Sequence, residues 1–284
     1  MSWTVVARKD FRDAVRSRAL WALSAVFLLL AVGISVLYAT FQPLSGGNPT
    51  ALGLIFFLAS IVGTFVSIAA ILACYKAVAG ERERGTIKIT LSLPHSRRDV
   101  ILGKLVGRTG VLALPVVGAL LAGTVVGGVM FGDVAPGATV LFGVVALLFT
   151  LAYVGIMVGL SATTGSTTRA AALAIGFFLI VELFWDAVLF GLAFVANDFA
   201  VPAAHAAFPD WLYLVQQVPP SSSFMTSLSA VLPGATRAAS AGAGQSAGQI
   251  GAFYSTPWVG LVALALWVVV PILVGYYRFE AADL

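Results

Sequence analysis

The chain has 284 residues, of which 60% are hydrophobic and only 10% are charged, and its mean hydropathy is +1.00. Soluble domains average about 45–50% apolar and about 25% charged residues, so this composition excludes a soluble domain. It also excludes a disordered chain, which would be polar, and the single cysteine excludes a disulfide scaffold.

Residues 1–18 predict an amphipathic helix at the membrane surface. Trp3, Ala7, Phe11 and Ala14 recur at helical spacing, and three arginines follow one another four residues apart on another face. We expect the apolar stripe to face lipid and the basic face to contact anionic headgroups. The alternative is that these charges only fix the topology.

Six apolar stretches are each long enough to cross a bilayer, whose core of about 30 Å needs about 20 helical residues. Uninterrupted apolar runs predict helices, because backbone in lipid must satisfy its own hydrogen bonds. The sequence therefore predicts an all-α polytopic membrane protein with a single transmembrane domain over residues 1–284. Its spans are predicted at about 19–39, 52–79, 106–131, 138–162, 170–196 and 257–277.

The basic residues fall almost entirely on one side of these spans. Fifteen of the sixteen Lys and Arg residues lie in residues 1–18, in the connection 76–108, or at Arg169 and Arg278. The remaining one is Arg237. By the positive-inside rule, both termini are predicted in the cytoplasm. Because these basic residues lie at the inner membrane surface, topology explains the net charge of +4, and nucleic-acid binding is disfavoured.

The connection between the second and third spans, residues 80–105, has a distinctive pattern. Acidic and basic residues alternate at 81–84, and Gly85 permits a sharp turn after them. Apolar and polar residues then alternate from Ile87 to Leu93, which by itself favours a strand, although the chain offers this strand no partner.

A helix is predicted to follow this segment. Ser96 can cap it, with Asp99 at the third helical position as a near capping box. The helix is predicted to run through Gly103 and Lys104 into the third span.

The stretch E-R-E-R-G-T-I-K-I-T-L-S-L-P-H-S-R-R-D-V-I-L-G-K resembles the signature connection of type-2 ABC transporter permeases. That family has an acidic residue, Gly-Thr, an apolar stretch, Pro, a Ser-Arg pair and Gly-Lys. The corresponding positions here are Glu81, Gly85, Thr86, Leu91, Pro94, Ser96, Arg97, Gly103 and Lys104. In that family the segment forms a short cytoplasmic coupling helix, so the resemblance implies helix where the alternation favours strand.

The resemblance also implies a function. The chain would be the permease subunit of an ATP-driven exporter, forming the translocation path with a second permease copy, identical or homologous, in a prokaryotic plasma membrane. It would have no catalytic residue and no cofactor, because ATP would bind to a separate subunit, and the sequence has no G-x-x-x-x-G-K-[ST] motif. The residues implied to couple to that subunit are Glu81, Arg82, Glu83, Arg84, Gly85, Thr86, Pro94, Arg97 and Arg98.

Two carboxylates lie inside the fifth span. Glu182 and Asp186 are four residues apart, so a continuous helix would place them on one face, directed at the bundle interior or water. They are candidates for a substrate or proton path, and a proton-coupled secondary transporter is the alternative function. They could equally form a packing contact with a neighbouring helix.

The long connection 197–256 is predicted outside the membrane. Residues 209–224 resemble the proline-containing re-entrant region of the same family, and 210–218 could form a partial helix. Residues 234–251 have the composition of a flexible linker. Glycine pairs at 103/107, 123/127, 128/132 and 155/159 permit close helix approach.

Overall fold

The computed structural model describes residues 3–88, 96–200, 210–232 and 257–282. Within these ranges the chain contains helices and no strand, which confirms the prediction of an all-α fold. The helices are α1 (Trp3–Val15), α2 (Arg18–Leu44), α3 (Ala51–Cys74), α4 (Ala79–Glu83), α5 (Arg97–Phe131), α6 (Pro136–Ala162), α7 (Thr167–Phe177), a π-helical turn (Phe178–Leu183), α8 (Trp185–Ala196), α9 (Asp210–Gln216), α10 (Pro220–Val231) and α11 (Pro257–Glu280).

Among the residues that the structure describes, five helical stretches are long and apolar enough to cross a membrane: α2, α3 continued through α4, α5, α6 and α11. A sixth candidate is α7 with the π-helical turn and α8, whose two parts meet at a bend of 56°. The span predicted at 170–196 therefore corresponds to a bent pair of helices rather than to one straight helix. The hydrogen bonding becomes π-helical at Phe178 and the helix breaks at Phe184.

Helix α1 packs along the N-terminal part of α5. A Cβ atom added at Gly103 would lie 2.9 Å from the carbonyl oxygen of Trp3, and one at Gly107 would lie 2.9 Å from that of Ala7. These glycines therefore let the α1 backbone approach closely. The expectation that the whole apolar stripe of α1 faces lipid is wrong at Ala7, which is buried against α5. We call the region of α1, α4 and the start of α5 the basic end of the bundle.

A second group of helices forms around α6. A Cβ atom at Gly275 of α11 would lie 2.6 Å from the carbonyl oxygen of Gly159, so the two backbones cross without side chains between them. Gly155 lies against α11 as well, with its Cβ position 3.3 Å from the Val268 carbonyl oxygen. The glycine pair at 128/132 has a different role from the pairs at helix crossings. Gly132 caps the C-terminal end of α5 in the left-handed conformation, with φ +74°.

The predicted outer connection contains two helices within its described part. Helix α9 matches the partial helix predicted over 210–218, and α10 packs against α6 and α11. Phe224 of α10 is fully buried and stacks on Phe149, with 4.7 Å between ring centroids. Since Phe149 lies midway along α6, α10 reaches the middle of the bundle. The predicted linker at 234–251 lies outside the described residues.

Candidate functional site

The start of α4 is held by α6. The backbone N–H groups of Val78 and Ala79 each donate to the hydroxyl oxygen of Ser161, at 3.1 Å. Ser161 is buried near the C-terminal end of α6. Helix α4 has no capping side chain of its own, so a residue of another helix satisfies its first donors.

Four charged side chains meet where α1, α4 and α5 come together. Lys104 Nζ lies 2.7 Å from Glu81 Oε1 and 3.8 Å from Asp10 Oδ1. Arg108 Nε lies 2.6 Å from Asp10 Oδ2, and its Nη1 donates to the carbonyl oxygen of Ala73 at 2.9 Å. The Lys104 side chain is only 3% exposed, and a charge so deeply buried requires partners. This charged cluster joins the connection to α1, α5 and the end of α3.

Two arginines of the predicted coupling set lie against Phe279 of α11. The guanidinium carbon of Arg97 lies 5.4 Å from the ring centroid, and that of Arg82 lies at 5.9 Å. Arg82 also donates to the carbonyl oxygen of Ala162 at 3.2 Å. Arg97 donates to the carbonyl oxygens of Phe279, Glu280 and Ala282, which close the C-terminal end of α11. Both arginines thus bind neighbouring helices of the same chain.

The other charged residues of the set also have contacts inside the chain. Arg98 Nε donates to the Tyr276 hydroxyl at 3.0 Å, and Arg84 Nε donates to the carbonyl oxygen of Gly80 at 2.9 Å. The Thr167 hydroxyl donates to Glu83 at 2.5 Å. Even so, Glu83, Arg84 and Arg98 stay exposed, and so does Lys88, so these positions are accessible to another protein.

The backbone between α4 and α5 turns at Gly85, whose φ is +71°. The Thr86 hydroxyl donates to the carbonyl oxygen of Glu81 at 3.3 Å and closes this turn. Residues 86–88, where the alternating pattern begins, are helical, and Ile87 is buried. The rest of the pattern, with Leu91 and Pro94, lies outside the described residues.

The predicted start of α5 is confirmed. The Ser96 hydroxyl accepts from the Asp99 backbone N–H at 3.2 Å, and Asp99 accepts from the Ser96 N–H at 3.0 Å, which completes a capping box. Helix α5 then continues without interruption through Gly103 and Lys104 to Phe131.

Sequence reasoning missed several members of this site. Three of them belong to no motif: Asp10, Ser161 and Phe279. Each contacts the connection or α5, and the contacting residues are separated by 82 to 182 positions in the sequence. No local pattern signals contacts at such separations.

The two carboxylates of the fifth span lie in different surroundings. Glu182, in the π-helical turn, accepts hydrogen bonds from the buried Tyr153 hydroxyl and from the Ser221 backbone N–H, the latter at 3.3 Å. It thereby caps α10, whose Pro219 cap has no side-chain bond to offer. Asp186 is exposed beyond the break at Phe184. The expectation that the two share one helix face is wrong, because their segments meet at 56°.

The part of the chain that the structure describes has no evident metal-binding site. There, no three His, Cys, Asp or Glu side chains are grouped so that they could hold a metal ion. Cys74 is buried in α3. The two histidines lie outside the described residues.

Comparison with known proteins agrees with this architecture. The profile of the family described as ABC-2 family transporter protein matches residues 4–284. Two curated relatives are both named "Probable ABC transporter permease protein NosY". The one from Stutzerimonas stutzeri is 36% identical over 198 residues, covering 66% of this chain and 69% of the relative. The one from Pseudomonas aeruginosa is 28% identical over 204 residues, covering 70% and 74%. The chain is therefore a multi-pass membrane protein that belongs to the ABC-2 transporter family, as the residues of its second connection indicated.

Proposed function

We propose that this chain is the permease subunit of an ATP-driven exporter in a prokaryotic plasma membrane. A separate ABC ATP-binding subunit binds and hydrolyses ATP, and two permease copies together form the translocation path. The chain itself has no catalytic role and binds no cofactor. Both termini and the basic end face the cytoplasm, since fifteen of the sixteen Lys and Arg residues then lie on that side.

The observation that carries this proposal is the set of contacts that residues 78–98 make. Ser161 of α6 binds the start of α4, Lys104 of α5 binds Glu81, and the end of α11 binds Arg97. A force applied to this connection therefore reaches three membrane helices through buried or hydrogen-bonded contacts. Such an element suits the transmission of ATP-driven motion from a cytoplasmic partner to the membrane helices.

The exposed part of the same connection suits docking. Arg84 and Lys88 are exposed cations beside the left-handed turn at Gly85, and they project from a segment fixed on its inner side. Exposed ion pairs are each worth about 0–1 kcal/mol, so docking would depend on several contacts together.

The docking role is tested by reversing exposed charges while leaving in place the contacts of the connection with α5, α6 and α11. The permease and its ABC ATP-binding subunit are expressed together, and the partner retained by a tagged permease is measured. We expect Arg84→Glu with Lys88→Glu to lower partner retention at least tenfold. Arg12→Glu, an exposed arginine of α1, is the matched control and should retain the partner. Equal retention by the docking variant and the control would contradict the proposed role.

A second candidate function is proton-coupled transport through Glu182 and Asp186. The contact of Glu182 with Tyr153 in the middle of the bundle favours it, because a carboxylate at that depth is costly unless it is paired or functional. The position of Asp186 beyond the bend gives it less support, since the two groups do not form one path along a helix.

A further inference from the structure

A groove opens between α2 and α3 near the basic end of the bundle. Its cavity volume is about 510 Å³, and α5 forms its floor. The groove extends along α2 from Ala19 to Val26, which corresponds to about 10 Å of helix. Lys76 and Arg108 border it.

Small side chains leave the groove open between α2 and α3. At their other end the two helices meet through Tyr38, whose ring centroid lies 5.7 Å from that of Phe57 and whose hydroxyl accepts from the Thr50 N–H at 3.3 Å. Toward the basic end, small residues such as Ala22 and Ala73 line the facing surfaces and leave the space unfilled.

The walls of the groove are apolar. Leucine, valine and alanine side chains from all three helices supply them, among them Leu20, Leu23, Leu72, Val111 and Leu112. Leu72 is 64% exposed, so this surface is open on the side away from α5. In a helix that crosses a membrane, such a surface is in contact with acyl chains.

Cations stand at the basic end of this groove. Arg108 already pairs with Asp10. Lys76 is exposed, and its ammonium group lies over the ring of Tyr75, 5.7 Å from the centroid, so its donors are accessible to a ligand. Arg16 and Arg18 flank Ser17, which lines the groove, and both are exposed. Positive charge therefore exceeds negative charge here.

We propose that this groove binds an anionic phospholipid, with one acyl chain between α2 and α3 and its phosphate at Lys76. The apolar walls match the chain, and the excess positive charge matches a headgroup that bears a net negative charge. A zwitterionic headgroup offers the same phosphate but carries its own cation, which the arginines repel. The placement in the cytoplasmic leaflet rests on the orientation proposed above. A lipid bound in the groove would contact both the α1–α2 junction and α3, and so would stabilise their relative position.

Native mass spectrometry of the detergent-purified permease tests this proposal without the ATP-binding subunit, so its outcome is separate from that of the docking experiment. The protein is titrated with dioleoylphosphatidylglycerol or with dioleoylphosphatidylcholine. We expect the anionic lipid to bind at least fivefold more tightly. Lys76→Gln should weaken its binding about fivefold, the effect of one cation near an anionic lipid. Ala22→Phe, an exposed position on the groove wall, should weaken the binding of both lipids.

Two variants serve as matched controls. Lys88→Gln removes an exposed cation outside the groove, and Ala172→Phe adds a ring at an exposed alanine of α7. Both should bind the anionic lipid as the unchanged protein does. The proposal is overturned if the two lipids bind equally, or if Lys76→Gln and Ala22→Phe behave like the controls.

A second copy of the chain could cover the groove instead of lipid. In membranes, a cysteine at Ala22 with Cys74→Ala would then cross-link to its counterpart through a bifunctional thiol reagent. We expect no such product, and efficient cross-linking would overturn the lipid assignment.

Discussion

Lys104 and Glu81 lie 23 residues apart in the sequence, and their side chains meet at 2.7 Å beside Asp10. These two residues occupy the first and last positions of the pattern by which the second connection resembles type-2 ABC permeases. The pattern therefore has a direct physical basis, because its ends form a largely buried ion pair that fixes the connection on α5.

Removing one partner of this pair is expected to cost more than removing both. Lys104→Met leaves Glu81 and Asp10 short of a cation and should lower the free energy of unfolding by about 3 kcal/mol. The double variant with Glu81→Gln should lose less than the sum of the single variants, since it leaves fewer unpaired charges. Thermal unfolding in detergent measures both, with the exposed Glu280→Gln as a control. Strictly additive losses would show that the pair is not coupled.

The turn at Gly85 is expected to tolerate only residues that adopt a left-handed conformation. Gly85→Val should strain the backbone by about 1–2 kcal/mol and displace residues 86–88, so that partner retention falls while membrane insertion continues. Gly85→Asn should retain the partner, because asparagine visits this conformation readily. Co-purification and ATP turnover in reconstituted membranes provide the measurements. Equal behaviour of the two variants would exclude a role for the turn geometry.

The crossing of α6 and α11 is expected to be intolerant of any added atom. Gly159→Ala places a methyl group against the backbone of Pro271 and should destabilise the protein by about 1–3 kcal/mol. Gly118→Ala is the matched control, because nothing lies within 4 Å of the position its methyl group would take. Thermal unfolding compares the two, and equal midpoints would contradict the close crossing.

Substitutions at Glu182 separate its structural role from a role in transport. Glu182→Gln keeps an acceptor for Tyr153 and Ser221 and should leave stability nearly unchanged. Glu182→Ala should cost about 1–3 kcal/mol, because it leaves buried donors unpaired. Under the exporter proposal, Glu182→Gln with Asp186→Asn keeps ATP-driven transport. Loss of transport by this well-folded variant would instead favour the proton-coupled alternative.

The proposed orientation predicts which positions react with an impermeant thiol reagent. With Cys74→Ala as background, cysteines at Asn48 or Val134 should react from outside intact cells, since these residues lie exposed at the end opposite the basic end. Cysteines at Lys88 or Thr168 should react only after the membrane is permeabilised. The reverse pattern would invert the topology.

The parts of this fold that depend on local sequence could be predicted. Ser96 and Asp99 are three residues apart, so their capping box follows from the sequence itself. The spans follow from apolar length. The alternation that begins at Ile87 favours a strand, whereas residues 86–88, the part of it that the structure describes, are helical. A single buried residue such as Ile87 fits either periodicity.

The rest depends on contacts between distant residues. The prediction that Glu182 and Asp186 share a helix face assumed a straight helix. Neither residue indicates the π-helical turn or the break that follows it. Helix α1 has the pattern of a lipid-facing helix, and only the glycines of α5 reveal that protein covers part of it. Arg97 is one of the residues implied to couple to an ATP-binding subunit, and no local pattern indicates that the end of α11 binds it.

That last contact has a consequence for how the protein is made. Arg97 precedes its partners at Phe279 to Ala282 by 182 or more residues, so these contacts cannot form until the whole chain from α5 to α11 has been synthesised. The contacts between the start of α5 and α11 can form only after the last helix has left the ribosome. A truncated chain that lacks α11 would keep the contacts of α4 with Ser161 and Lys104 but would lose those of Arg97, so under the proposed docking role its cytoplasmic surface would be incomplete. If the proposed docking role holds, a stably docked ATP-binding subunit would mark a permease whose last helix is in place.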